Sequence, residues 1–168
     1  MALLLPEGEG QDAGIKIPGC CSIYLPSPRV RGIYGIDVIP MAYEHMRETI
    51  LKADAAGEFY TEEGCFILEL SNSPEDPDVS IARARVAPGA TTRLHRLQGV
   101  AERYVILEGT GQVEVGELPV QEVQPGTVVL IPPGCMQRIT NTGTCDLVFL
   151  AICTPRFTPD VYTDLDAP

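Results

Sequence analysis

Two histidines, six cysteines and 23 acidic residues are the raw material for chemistry in this chain of 168 residues. His95 stands in Arg93-Leu94-His95-Arg96-Leu97, Glu102 and Tyr104 in Glu102-Arg103-Tyr104-Val105-Ile106, and Gln137 in Cys135-Met136-Gln137-Arg138-Ile139. Each stretch has the texture of a short strand. Alternation then puts Arg93, His95 and Leu97 on one face, Glu102, Tyr104 and Ile106 on a second, and Cys135, Gln137 and Ile139 on a third. An imidazole and a carboxylate move protons or hold a cation, a phenol orients or protonates an oxyanion, and a carboxamide offers both donors and an acceptor.

The remaining reactive side chains point elsewhere. His45 sits beside Glu44 and Glu48 on an expected helix, where a solvated face accounts for it. No pair of cysteines has the C-x-x-C spacing of a zinc site, and Cys65, Cys145 and Cys153 lie in apolar runs as small hydrophobes do. Cys135 follows a Pro-Pro-Gly corner and is expected as a packed thiol. Arg83 and Arg85 alternate on one strand and are expected to face water.

These residues depend on the elements that carry them. Residues 1–40 are broken by glycine and proline and read as an extended arm. Met41 to Ala56 lacks both, and Met46, Thr49, Ile50 and Ala53 recur at helical spacing, which predicts one short helix stopped by Gly57. From Cys65 onward, β-branched and apolar runs alternate with turns. Strands are expected over 65–70, 79–86, 92–97, 103–108, 111–115, 120–123, 127–131, 136–140 and 146–153. Pro88-Gly89, Glu108-Gly109-Thr110-Gly111, Pro125-Gly126, Pro132-Pro133-Gly134 and Asn141-Thr142-Gly143 divide them, as a closed all-β barrel or jelly roll requires. The expected organisation is arm and helix over 1–57, barrel over 58–155 and a tail over 156–168.

Composition narrows the function. A net charge of −11 without any Lys/Arg-rich run opposes binding to nucleic acid. The start Met1-Ala2-Leu3-Leu4-Leu5-Pro6-Glu7 lacks a basic leader and a long apolar run, and no later stretch could span a bilayer as a helix, so a cytoplasmic protein away from membranes is expected.

Gly89, His95, Glu102 and Gly109 follow one another with five, six and six residues between them, and Gly126, Pro132, Gly134 and Asn141 keep a second fixed spacing. The chain thereby resembles the cupin superfamily over residues 58–155, at eight of the ten positions of the two cupin motifs. The resemblance implies a double-stranded β-helix, or jelly-roll barrel, preceded by the arm and helix. It also implies that His95 faces inward. Two of the four metal-ligand positions differ, because Leu97 stands where the family has its second histidine and Gln137 where it has its third.

Two arrangements of the implied site follow. In the leading one, His95, Glu102 and Gln137 bind a divalent ion (Mn, Fe, Ni or Zn), with Glu102 or Tyr104 moving protons on a small oxygen-rich substrate in a dioxygenase or a sugar or keto-acid isomerase. A purely vestigial site has little reason to keep a buried carboxylate. In the other, no metal binds, the three side chains hydrogen-bond one another, and the pocket holds a small carbohydrate or carboxylate without catalysis. A homodimer built through the arm is expected beside this small-molecule ligand.

Overall fold

A computed structural model describes residues 46–166 of the chain. The arm over 1–40 and His45 lie outside the described residues, as do Cys20 and Cys21. Among the described residues, eleven strands form two antiparallel sheets. The strands are β1 (Phe59–Tyr60), β2 (Phe66–Ser71), β3 (Ser80–Val86), β4 (His95–Leu97), β5 (Ala101–Glu108), β6 (Gly111–Val115), β7 (Gln121–Val123), β8 (Val128–Ile131), β9 (Gln137–Asn141), β10 (Leu147–Thr154) and β11 (Tyr162–Asp164). One sheet runs β1-β2-β3-β10-β5-β8 and the other β11-β4-β9-β6-β7. Consecutive strands thus often lie in opposite sheets, the jelly-roll pattern that covers both inner faces. Among the described residues no helix is long and apolar enough to cross a membrane.

Alternation along the strands makes the core. In β5, Glu102, Tyr104 and Ile106 point inward, and in β9, Gln137, Ile139 and Asn141 do. Ile106 and Ile139 pack with Val86, Val113, Ile131, Leu147 and Phe149 between the sheets. Asn141 closes one corner: its side-chain amide donates to Val86 O and Cys145 O at 2.8 Å each, and its carbonyl accepts from Gly143 N. Its place in the spacing pattern is therefore a structural one, the satisfaction of buried turn carbonyls.

The helix expected over 41–56 is not formed by the described residues 46–56. In its place is one 3-10 turn, Ala55–Gly57, capped by the Asp54 carboxylate on Ala56 N. The large apolar residues of the expected stripe cover nothing among the described residues: Met46 and Ile50 are 42% and 87% exposed. A short helix gains most of its stability from a buried face, and residues 46–56 have none among the described residues.

Two other expectations change. The tail carries β11, paired with β4 so that Asp164 faces His95 and Tyr162 faces Leu97. Arg83 and Arg85 do not simply face water; both reach Glu58, Arg85 also reaches Asp146, and its guanidinium lies 4.0 Å over the Phe66 ring.

Candidate functional site

His95 comes from β4 and Gln137 from β9, neighbours in one sheet with the two residues paired in register. Glu102 comes from β5 in the opposite sheet, where it pairs with Cys153 of β10 and Ile131 of β8. Three side chains remote in sequence meet between the sheets because each occupies an inward position. All are buried: His95 is 2% exposed, Glu102 7% and Gln137 0%.

The contacts among them assign each atom a role. His95 Nδ1 lies 2.9 Å from the carbonyl of Arg93, which only accepts, so Nδ1 carries the proton and Nε2 presents a lone pair. Gln137 Nε2 lies 3.2 Å from that lone pair and 2.5 Å from Glu102 Oε2. The amide orientation assigned from this network turns its NH2 inward, so that Nε2 donates to both. Gln137 Oε1 is then buried with no hydrogen-bond partner among the described residues. Tyr162 stacks on the His95 ring at 5.0 Å, holding its plane from the β11 side.

Burial pushes the Glu102 carboxyl up to about 7, against the hydrogen bond from Gln137 and the nearby His95, which act the other way. A second carboxyl joins it. Glu63 lies in the turn before β2, its Oε1 3.5 Å from His95 Nδ1; its own burial, then the charge of Asp164, raise it to about 7 as well. Its position is fixed by the backbone, since Arg93 N donates to Glu63 O at 2.8 Å. Nothing in the local sequence marks Glu63. It stands in Thr61-Glu62-Glu63-Gly64, an ordinary turn whose contact with β4 is entirely tertiary.

Tyr104, the other expected proton carrier, is 2% exposed and packs against Phe149 with ring centroids 4.5 Å apart. Burial and the neighbouring Glu102 and Glu63 hold its hydroxyl well above the usual phenol range, so it stays protonated. Of the cysteines, Cys65 and Cys153 are buried, Cys135 is half-buried and Cys145 is exposed, contrary to its apolar surroundings in sequence. Burial pushes the Cys65 thiol up to about 12. The Cys153 thiol lies 3.8 Å from Glu102 Oε1 and is likewise raised by burial.

A cavity of about 160 Å³ opens beside this network. Polar groups of Thr61, Glu63, Glu69, Asn72, Ser80 and Glu102 line it, between apolar walls that include Ile81 and Phe157. No lysine or arginine lines it. The side chains Leu97, Ile106 and Ile139, which alternation alone would place around the pocket, belong instead to the packed interior.

A Cupin domain model matches residues 82–153, and an uncharacterized protein of Methanocaldococcus jannaschii is 32% identical over 106 residues, which span 62% of this chain and 84% of that protein. The chain belongs to the cupin superfamily. A glucose-6-phosphate isomerase of Pyrococcus abyssi is 31% identical over 98 residues, 51% of this chain and 52% of the isomerase, so this cupin matches about half the length of that relative. A double-stranded beta-helix protein of Klebsiella pneumoniae superposes with a TM-score of 0.58 at 12% identity, over 71% of this chain and all of that one, a likeness of fold.

Cupin relationship raises the question of a metal, and the donor set here does not fit one. The lone pair of His95 Nε2 and an oxygen of Glu102 are each engaged by an N–H of Gln137. Leu97, 3% exposed, offers only hydrocarbon. Among the described residues no three His, Cys, Asp or Glu side chains are placed to hold an ion.

Proposed function

We propose that this cupin binds a small, uncharged, oxygen-rich molecule of the sugar or polyol class in the cavity beside Glu63 and Glu102. The same pair would carry out proton-transfer chemistry on it. The observation that carries this reading is the lining itself. Carboxyl, hydroxyl and amide groups converge there without one cationic side chain. An anionic ligand such as oxalate would meet the three carboxyls of Glu63, Glu69 and Glu102 and no counter-charge, an unfavourable pairing in a half-buried site. Hydroxyl groups find acceptors and donors throughout. The volume equals roughly five waters, which limits the ligand to a small compound.

Acid–base chemistry follows from the carboxyls of Glu63 and Glu102. With both near neutral in their proton affinity, one can be charged while the other keeps its proton. In an aldose–ketose interconversion the charged member removes a proton from the carbon beside the carbonyl, and the protonated member donates to the carbonyl oxygen. Returning a proton to the neighbouring carbon, with loss of the hydroxyl proton, completes the isomerisation without any other reagent. The relationship to an isomerase is in keeping with this class of reaction.

The test is proton NMR of small aldoses and ketoses in deuterated water with the purified full chain, with oxalate binding measured in parallel by calorimetry. The expected outcome is deuterium entry next to the carbonyl, reduced at least about 100-fold in Glu102→Gln, as for loss of a general base. Tight oxalate binding without any exchange would overturn the reading.

A further inference from the structure

We infer that Gln137 stands in for the metal ion, and that His95 and Glu102 form a latent metal centre which two side chains, Gln137 and Leu97, keep closed. This goes beyond the organic ligand and holds whichever molecule occupies the cavity.

The inference starts from what a cation does in such an array. It draws together an imidazole nitrogen and a carboxylate oxygen from opposite sheets and satisfies the lone pair of each. The Gln137 amide does both with its two N–H groups, at 3.2 Å and 2.5 Å, and so cross-links the five-stranded sheet to the six-stranded one. His95 is already prepared for either partner. Its Nδ1 proton is committed to the Arg93 carbonyl and Tyr162 packs on its face, so Nε2 points inward regardless of what accepts it.

One atom marks the cost of the substitution. Gln137 Oε1 is buried and unpartnered, an uncommon state for a carbonyl oxygen in a folded protein. A side chain chosen only for hydrogen bonding within this core would not leave that acceptor idle. A glutamine taking the part of a cation that meets two acceptors at once does, since its second polar atom has to point away. Leu97 completes the closure. It is buried with Val100 and Cys153 and brings no nitrogen or oxygen of its own side chain to that position.

The test uses the full chain purified without tag or chelator, dialysed against manganese, nickel and zinc in turn, with bound metal read by elemental mass spectrometry and thermal midpoints read with and without EDTA. The wild-type protein is expected to retain well under one ion per chain and to melt at the same temperature with or without EDTA. Leu97→His combined with Gln137→His is expected to take up one ion per chain, tighter than wild type by roughly 100-fold or more. Should that double variant not fold, Gln137→Glu decides the matter. It sets a second carboxylate against Glu102, so its thermal midpoint is expected to rise on adding metal where that of the wild type does not. A stoichiometric ion in the wild type that is lost in Gln137→Ala overturns the inference. So do variants that fold and gain no metal.

Discussion

Glu102 illustrates how far a buried side chain departs from its behaviour in water. Its carboxyl, like that of Glu63, is raised from the ordinary 4.5 to about 7 by burial. A carboxyl that binds its proton more tightly when folded contributes stability in full below the unfolded value, and that contribution is lost as pH rises through the folded value. The melting temperature is therefore expected to fall between about pH 5 and pH 7.5 and then level off, with a slope of up to about 1.4 kcal/mol per pH unit from each group. Glu102→Gln removes one of the two contributions, and thermal melts across that range are expected to show a shallower decline. An unchanged profile in the variant would mean that Glu102 is ionised throughout, as it would be beside a cation. Strand alternation put His95, Glu102, Tyr104 and Gln137 on definite strand faces, and the resemblance to cupins implied that His95 turns inward. Their hydrogen-bond order was not legible, because strand alternation gives a direction for each side chain but no distance between sheets.

At the level of elements, turns and strands were the legible part. The nine expected strands all appear within two or three residues of their observed limits, since β-branched runs bounded by Pro-Gly and Gly-x-Gly carry both period and punctuation. Gly109 shows why one such turn is specified so firmly. Its φ is +79°, and a Cβ there would lie 2.5 Å from Asp146 O and 2.9 Å from Leu147 Cα. Gly109→Ala combines left-handed strain of about 1–3 kcal/mol with overlap against rigid backbone, and chemical denaturation is expected to show a loss at or above the top of that range. The helix expected near residue 50 had correct periodicity but, among the described residues, no surface to pack on. β1 escaped notice because two residues, Phe59 and Tyr60, are too few to display a period, and they form a strand only by pairing with Ile67 and Phe66.

Across the whole molecule, the segment after the barrel is part of the site. Phe157, Val161 and Tyr162 pack on Leu97, Val100 and Cys153, and Phe157 N donates to Ser80 Oγ at the cavity wall. Ending the chain after Pro155 strips these residues away and uncovers His95. A loss of at least about 3 kcal/mol in urea unfolding is expected, with increased binding of a hydrophobic dye at low denaturant. Equal stability of the shortened chain would show that β11 is an ornament rather than a wall.

What the sequence determined by itself was the class of fold and the identity of the inward polar residues. Turn chemistry and strand period are local properties, written in neighbouring residues, and two spaced motifs sufficed to suggest a cupin. Only the tertiary structure decided that Glu63 joins the site, that β11 covers it, and that an amide rather than an open coordination position lies between His95 and Glu102. Each of those facts depends on separations between atoms of different sheets and loops. Such separations are set by the packing of the whole barrel, and no local stretch of residues encodes them.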